Sequence, residues 1–269
     1  MMTDLQTSNR PTPGSTAMRV SGVTKYYRAG TAALSEVSFA VNAGECFALL
    51  GVNGAGKTTL IKCLLGLSRE SRGELSILEQ STHRPWTRNH LAYLPERFAP
   101  PPWLTVNDYL KLAANLYAQD WQRPQIIEKL GQLGMKPGTL DLPLRECSKG
   151  MTQKTGLTAA LLSGRPLLVL DEPMSGLDPF SRTQVKQQLN ELKKEQRTVV
   201  MCTHSLADVQ EMADRLALLH EGQLRFLGTP AEWLAATATQ SLEQAFLSSI
   251  GCLSPSPIPT PARLLKERG

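Results

Sequence analysis

The sequence predicts an α/β fold that combines a mixed sheet with an antiparallel β subdomain and a helical insertion. Residues 18–24 and 34–41 alternate apolar and polar side chains, as half-buried antiparallel strands do. Residues 46–50, 167–170 and 198–202 are continuous apolar runs, which are typical of strands covered on both faces. We therefore expect the continuous runs to form the interior of a parallel sheet.

Helical segments separate these strands. Residues 181–196 lie between the second and third apolar runs, so strand, helix and strand alternate as in a parallel sheet. Residues 106–118 and 125–133 place apolar side chains at helical spacing with no strand between them. This pattern predicts a helical subdomain at about residues 97–165. Two further short strands within residues 215–228 are expected to pair as a hairpin.

The two ends of the chain differ in composition from its centre. Residues 1–17 are rich in Thr, Ser, Pro and Gly, and residues 251–269 are rich in Pro. Neither segment shows periodicity, so we predict that both are disordered. Between them we expect a folded domain over residues 18–228 and a helical extension over residues 229–250.

Charge, cysteine usage and hydropathy argue against a nucleic-acid-binding protein, a disulfide-rich protein and a membrane-spanning protein. The 269 residues suffice for one large domain with a buried core. The net charge of +5 is mild and the basic residues are dispersed, so we expect no nucleic-acid partner. Five cysteines lie far apart without a C-x-x-C pair, which is the usage of a reducing cytoplasm. No apolar stretch approaches the roughly 20 residues of a membrane span, so we expect a soluble chain.

Residues 51–58, which read GVNGAGKT, carry the strongest chemical signal. An apolar run precedes them and a helical pattern follows, which is the context that a phosphate-binding P-loop needs. Its glycines let successive N–H groups converge on one anion, while Lys57 reaches the β- and γ-phosphates and Thr58 ligates Mg²⁺. The alternative is a glycine-rich turn before a helix. The predicted nucleotide-binding residues of this segment are Gly51, Asn53, Gly54, Ala55, Gly56, Lys57, Thr58 and Thr59.

A pair of carboxylates, Asp171 and Glu172, follows the second apolar run. This is the arrangement of a Walker B motif, in which Asp171 holds Mg²⁺ and Glu172 polarises the water that attacks the γ-phosphate. The alternative, a solvated acid pair at a strand end, leaves the flanking sequences LLVL and PMSGLD unexplained. The two motifs together predict nucleotide hydrolysis.

The ordered motifs GVNGAGKTT, CSKGM, LLVLDEP, SGLD and Thr203-His204 resemble those of the nucleotide-binding subunits of ABC transporters. The resemblance covers residues 18–228 and implies a P-loop NTPase core that uses ATP and Mg²⁺. It also implies a dimer in which ATP lies between the P-loop of one subunit and the signature segment of the other. Ser148 and Gly150 of CSKGM would supply that second contact, because a helix N-terminus attracts anions. A plain helix N-cap is the alternative for Ser148 and is compatible with this role.

The resemblance gives roles to further residues. Tyr27 matches the aromatic residue that stacks on adenine, although Tyr26 beside it, or packing within a strand, is an alternative. His204 matches the histidine that contacts the γ-phosphate, and it joins Glu172 as a predicted catalytic residue; a lone histidine at a strand end is otherwise structural. Asp178 falls in the loop that crosses the dimer interface, where it is expected to shape the loop.

Two positions depart from the family pattern. Glu96 stands where glutamine is usual, and it adds negative charge near the γ-phosphate; with Thr58 and Asp171 it completes the predicted metal ligands. The signature reads CSKGM where many members have LSGGQ. This variant, together with residues 241–247 (SLEQAFL), resembles exporters that pair with a separate six-helix permease. A generic amphipathic helix is the alternative for that last segment.

Three functions could account for these motifs. An ATPase subunit of a membrane exporter explains all of them, and its single P-loop requires a second copy or a paired ATPase subunit. Soluble ABC-type ATPases that act on ribosomes or DNA usually carry two cassettes or a long coiled coil, and a P-loop kinase leaves the signature unexplained. We therefore expect a peripheral protein on the cytoplasmic face of the inner (plasma) membrane, bound to an integral-membrane permease. This sequence does not identify the transported cargo, because the permease makes the contacts with the cargo.

A proline-rich loop follows Glu96. Residues 100–102 are all proline and exclude a regular helix, so Phe98 and Trp103 are expected in an exposed loop that leads into the helical insertion. Exposed aromatic residues are favoured anchors in interfaces, which predicts contact with a permease helix. The alternative is that Trp103 packs back onto the insertion.

Overall fold

The computed structural model describes residues 14–28 and 30–252. The disorder predicted for residues 1–13 and 253–269 lies outside the described residues. Across the part of the chain that is described, no helix is both long enough and apolar enough to cross a lipid bilayer.

The fold begins earlier than the sequence predicts. Thr16 pairs with Asn42 of the second strand, and Ala17 is buried. The first strand therefore begins within the segment that the sequence predicts to be disordered. Backbone pairing with a neighbouring strand stabilises Thr16 without any apolar signal in its own side chain.

The elements follow in chain order. The strands are β1 (Thr16–Arg28), β2 (Thr31–Asn42), β3 (Cys46–Leu50), β4 (Arg72–Ile77), β5 (Gln80–Ser81), β6 (Leu91–Leu94), β7 (Leu167–Asp171), β8 (Thr198–Thr203), β9 (Arg215–His220) and β10 (Gln223–Gly228). The α-helices are α1 (Lys57–Leu64), α2 (Val106–Tyr117), α3 (Arg123–Gln132), α4 (Lys149–Leu162), α5 (Pro179–Lys194), α6 (Leu206–Met212), α7 (Pro230–Thr237) and α8 (Leu242–Ser249).

The two predicted kinds of strand form two sheets. The alternating strands β1 and β2 pair antiparallel and join β4 and β5 in the order β2-β1-β4-β5. The continuous apolar strands lie in a second sheet of order β10-β9-β3-β8-β7-β6. All neighbours in that sheet are parallel except the β9–β10 hairpin. The predicted mixed sheet and antiparallel subdomain are confirmed.

The larger sheet is covered on both faces, which explains its unbroken apolar sequence. On one face, Leu49 and Val169 share a core with α1 and the antiparallel sheet. On the other, Leu168 packs against α4 and α5, while Leu50 packs near the buried Trp233 of α7. The carboxyl ends of β3, β7 and β8 are thereby held at one rigid edge.

Three helices, α2 to α4, lie between β6 and β7, as the helical periodicity predicts. They enclose a core of their own that includes Val106, Leu110, Ile126 and Leu130. Helix α4 also packs Leu157 into the core beneath the larger sheet. The insertion is therefore tied to the sheet through α4.

The two aromatic residues of the proline-rich loop differ in burial. Trp103 is 72% exposed, as predicted. Phe98 instead packs edge-on against Tyr109, with ring centroids 5.3 Å apart. Gly156 of α4 leaves the space for this ring, since a Cβ there would come within 2.9 Å of it. The expectation that both residues face outward is wrong for Phe98, because an apolar ring beside a glycine gains more from burial than from exposure.

Candidate functional site

The P-loop joins the end of β3 to the start of α1 through a turn that requires glycine. Gly56 has a φ of 110°, and a Cβ at that position would lie 2.9 Å from the Ala33 carbonyl oxygen. At Gly51 a Cβ would lie 2.5 Å from the Leu219 carbonyl oxygen. Close backbone contacts therefore leave no room for a side chain at either position. The positive φ of Gly56 is a second reason for glycine at that position.

Lys57 is buried at the first position of α1. Its Nζ donates hydrogen bonds to the carbonyl oxygens of Gly51, at 2.5 Å, and Val52, at 3.3 Å. The ammonium group is thus held across the P-loop, where the loop's backbone surrounds it.

A cleft of about 290 Å³ brings the two predicted motifs together. The P-loop forms one side, and the loops after β6 and β7 form the other. The lining residues are Ala33, Val52, Asn53, Gly54, Ala55, Gly56, Lys57, Thr58, Thr59, Glu96, Asp171 and Glu172. Ala33 and Val52 are the members that sequence reasoning missed, because a small apolar residue carries no chemical signal in sequence.

Burial and like charges strain the acidic side of this cleft. Burial raises the pKa of Asp171 to about 6, and the nearby carboxylates of Glu96 and Glu172 add to the rise, while Lys57 opposes it. Asp171 is only 4% exposed. A group of carboxylates that repel one another in this way is suited to an added cation.

Glu172 and His204 form a close pair at neighbouring strand ends. In the parallel register Asp171 lies beside Cys202, and the Glu172 N–H donates to the Cys202 carbonyl oxygen at 2.9 Å. The imidazole Nδ1 of His204 then lies 2.7 Å from Glu172 Oε1. Because an ionised carboxylate only accepts hydrogen bonds, Nδ1 carries the proton.

A second cleft, of about 250 Å³, opens on the other side of this pair. Glu172 and His204, which line it, were predicted, but sequence reasoning missed two charged lining residues, Arg182 and Asp208. Arg182 Nη2 lies 3.0 Å from Asp208 Oδ2, and Lys186 Nζ lies 3.1 Å from Asp208 Oδ1. The spacing of Arg182 and Lys186, one helical turn apart on α5, is the signal that could have indicated a shared anionic partner.

Several predicted residues lie away from the P-loop cleft. The predicted residues that do not line it are Gly51, Tyr27, Ser148, Gly150 and His204, although Gly51 adjoins the cleft and His204 contacts Glu172. Tyr27 is 57% exposed near the end of β1, with Lys25 Nζ 5.2 Å from its ring centroid, and Tyr26 is exposed as well.

The signature segment and the loop after β7 each begin a helix. The Ser148 side chain accepts a hydrogen bond from the Met151 N–H at 3.2 Å and caps α4. Asp178 caps α5 by accepting from the Ser181 N–H at 3.0 Å, and hydrogen bonds from Ser181 lower the pKa of Asp178. A Cβ on Gly150 would meet Gly176 and Leu177 at ordinary contact distance, so the two segments are neighbours.

The residues of the cleft fit a magnesium ion. Thr58 offers a hydroxyl oxygen, and Asp171 and Glu96 offer carboxylate oxygens, which are the donors that Mg²⁺ prefers. Within the described chain, no cluster of three or more His, Cys, Asp or Glu residues forms a ready-made metal site. Such a sparse donor set suits an ion that shares its ligands with substrate phosphates.

Fold and site together define an ATP-binding cassette: residues 34–175 match the ABC transporter family model, and the chain belongs to that family. The class is a P-loop ATPase.

Two relatives place the chain within the family. An uncharacterized ABC transporter ATP-binding protein of Synechocystis is 39% identical over 79% of this chain, and the match spans 62% of that relative. A fluoroquinolones export ATP-binding protein of Mycobacterium tuberculosis is 33% identical over 81% of this chain and 73% of its own length. The chain therefore covers less than two thirds of the first relative.

Solved structures agree with the fold. The ATP-binding subunit of an ABC transporter superposes with a TM-score of 0.81 at 30% identity, over 87% of this chain and 99% of that one. A bacterial ABC transporter cassette solved as a dimer gives a TM-score of 0.72 at 23% identity, over 79% of this chain and 98% of that one. The predicted P-loop NTPase core is confirmed.

Proposed function

We propose that this chain is the ATP-hydrolysing subunit of an exporter, that ATP closes two cassettes into a dimer, and that the dimer drives a separate membrane permease. The observation that carries the proposal is the 2.7 Å hydrogen bond between Glu172 and His204 beside the P-loop cleft. It pairs a carboxylate that can accept a proton with an imidazole that fixes its position.

The chain's residues divide the work of hydrolysis. Lys57 holds the β- and γ-phosphates, and Glu172 accepts the proton of the attacking water. The His204 Nδ1–H already donates to Glu172, which leaves Nε2 for the γ-phosphate.

Magnesium is the cofactor that this site would take. Thr58 and Asp171 would hold the ion, with Glu96 beside them, and the bound ion would supply neutralisation of phosphate charge. A bound cation would also offset the carboxylate repulsion that, together with burial, raises the pKa of Asp171.

The site in one chain is incomplete without a second copy. Ser148 and Gly150 do not line the P-loop cleft of their own chain, yet they begin α4, whose N-terminus can bind phosphate. Tyr27 is exposed near the end of β1, where adenine could stack on it. The cassette solved as a dimer supports pairing of this kind.

Export through a permease is supported by separate observations. The Mycobacterium relative is named for fluoroquinolone export. Trp103 is exposed on the loop that leaves the Glu96 side of the cleft, where it can contact a permease helix and report the state of the site. This assignment makes the chain a peripheral protein on the cytoplasmic face of the inner membrane.

The test of hydrolysis and dimerisation is Glu172→Gln. Its amide still hydrogen-bonds water but is a poor proton acceptor, so hydrolysis should fall by about a hundredfold or more while Mg-ATP binding persists. Size-exclusion chromatography should then show a dimer with Mg-ATP and a monomer without it. Glu74→Gln, which changes an exposed glutamate on β4, is the matched control. Normal hydrolysis by Glu172→Gln would move the catalytic role elsewhere.

The test of the permease partner uses the full-length chain. A tagged chain purified from detergent-solubilised membranes of its own cells should retain an integral-membrane protein, and Trp103→Ala should release it without changing the ATPase rate of the free subunit. Recovery of ribosomal particles instead of a membrane protein would support the soluble alternative.

A further inference from the structure

A buried arginine, Arg197, lies at the opposite end of the larger sheet from the ATP cleft, and the proposed hydrolysis does not use it. Its Nε donates a hydrogen bond to the Arg165 carbonyl oxygen at 2.9 Å, and Nη1 donates to the Leu161 carbonyl oxygen at 2.7 Å. Nη2 donates to the Ala160 carbonyl oxygen at 3.4 Å and to Ser163 Oγ at 3.3 Å. The three nitrogens of one guanidinium group thus bind a single stretch of chain, residues 160–165.

This stretch contains the last turn of α4, the helix that begins at the signature segment. The carbonyl groups of a last helical turn have no partner within the helix, and the Arg197 guanidinium supplies one to Ala160 and Leu161. A positive charge is also favoured at this negative end of the helix dipole. Arg197 therefore fixes the end of α4 that lies away from Ser148 and Gly150.

The same residue joins α4 to the strands that lead to the hydrolytic pair. The Arg165 carbonyl oxygen, which accepts from Arg197, lies two residues before β7. Arg197 itself immediately precedes β8, and the Thr198 N–H donates to the Pro166 carbonyl oxygen at 2.8 Å. Strands β7 and β8 lead directly to Glu172 and His204. The contacts of Arg197 thus hold the signature helix and the strands of the hydrolytic site in one frame.

Helix α4 depends on such contacts, because its own sequence is a poor helix former. Thr152, Thr155 and Thr158 each donate the side-chain hydroxyl to the carbonyl oxygen four residues earlier, a bond that tends to bend helices. Gly156 in the middle of the helix lowers helix propensity further. Packing and end contacts, rather than propensity, therefore determine the direction of α4.

The length of α4 amplifies any loss of alignment at its C-terminal end. The helix has 14 residues and is about 21 Å long at about 1.5 Å per residue. A tilt of about 3° about its last turn would move Ser148 by about 1 Å over that length. A displacement of about 1 Å can cost about 100-fold where function depends on the position of a reacting group.

We propose that Arg197 is the positioning residue of the signature segment. Its guanidinium holds α4 in the direction that lets Ser148 and Gly150 bind the ATP on the P-loop of a second copy. The inference rests on the proposed dimer and deepens it. It places the effect of Arg197 across the dimer: each copy's Arg197 serves the ATP bound to the other copy, while its own P-loop binds ATP without it.

The first test replaces Arg197 with lysine, which keeps the charge but cannot reproduce the planar fork of donors. In the Glu172→Gln background with Mg-ATP, Arg197→Lys should raise the dimer dissociation constant of the full-length chain by about tenfold or more, measured by analytical ultracentrifugation. Binding of a fluorescent ATP analogue to the monomer should not change. Arg123→Lys, the same replacement at an arginine whose side chain is 53% exposed, is the matched control and should alter neither value.

A mixing test separates positioning from a loss of stability. Arg197→Lys and Lys57→Ala chains, each with Glu172 intact, form a mixed dimer in which one site combines an intact P-loop with an intact signature helix. ATP hydrolysis by the mixture should therefore exceed that of either variant alone at the same total concentration. A mere loss of stability would lower the melting temperature without this gain. Ser148→Arg mixed with Lys57→Ala is the positive control, because it alters the signature segment directly.

The outcomes distinguish this inference from the proposed function. A Glu172→Gln parent that stays monomeric with Mg-ATP overturns the proposed dimer and this inference with it. A parent that dimerises while Arg197→Lys dimerises equally well overturns only the role of Arg197. A gain in the Ser148→Arg mixture without one in the Arg197→Lys mixture also overturns it, because Arg197 then acts on its own chain's site.

A milder variant keeps the test decisive if Arg197→Lys does not fold. Ser163→Ala removes one acceptor of Nη2 and the Ser163 hydroxyl that donates to the Ala160 carbonyl oxygen at 2.6 Å. It should raise the dimer dissociation constant by a smaller factor than Arg197→Lys, again without changing binding of the ATP analogue to the monomer. An unchanged dissociation constant would overturn the inference.

Discussion

Replacing Asp171 with asparagine should stabilise the nucleotide-free protein. Burial and the carboxylates of Glu96 and Glu172 raise the pKa of Asp171 from its ordinary 3.8 to about 6. A raised carboxyl pKa means that folding favours the protonated form. This favourable contribution is complete below about pH 3.8 and is lost as pH rises through about 6. At neutral pH the ionised Asp171 therefore opposes folding.

The size of the effect follows from the same shift. Each pKa unit corresponds to about 1.4 kcal/mol, so the rise in the pKa of Asp171 from 3.8 to about 6 opposes folding by about 3 kcal/mol. The cleft is open on one side and water screens part of this, so we expect a net gain of about 2 kcal/mol for Asp171→Asn. In a protein of this size the gain corresponds to a rise of about 4–8 °C in the melting temperature.

Calorimetry from pH 4 to pH 8, without nucleotide or Mg²⁺, is the measurement. The gain from Asp171→Asn should be close to zero near pH 4, grow with pH, and level off above about pH 6. Asp120→Asn, at an exposed position, is the control and should show no such trend. A variant no more stable than the parent at pH 7.5 would refute the argument that burial and the neighbouring carboxylates make ionised Asp171 oppose folding.

Three further predictions concern separate parts of the structure. Lys57→Ala should abolish ATP hydrolysis while far-ultraviolet circular dichroism stays native, and near-normal turnover would contradict the P-loop assignment. Gly56→Ala should weaken binding of a fluorescent ATP analogue and destabilise the fold by about 1–3 kcal/mol, because φ is 110° and the Ala33 carbonyl oxygen is 2.9 Å from the new Cβ. Phe98→Ala should lower the free energy of unfolding in urea by about 2–3 kcal/mol while Trp103→Ala leaves it unchanged; equal effects would contradict the different burial of the two rings.

Local patterns predicted most of the fold. Residues 46–50 and 198–202 are continuous apolar runs, and they became β3 and β8 of a sheet covered on both faces. The helical insertion followed from its periodicity, and the hairpin followed from two short strand-like runs joined by a tight turn. The start at Thr16 did not, because pairing of backbone groups leaves no trace in side-chain pattern.

The site, like the fold, has features that the sequence predicts and features that only the tertiary structure shows. The sequence by itself determined the P-loop and the adjacent carboxylates Asp171 and Glu172, because that chemistry requires particular residue types at fixed short spacing. Only the tertiary structure decided that Glu172 contacts His204, that Asp208 joins Arg182, and that Phe98 turns inward. Those contacts depend on the parallel register of β7 with β8 and on the packing of α4, α5 and α6, which residues distant in sequence determine together.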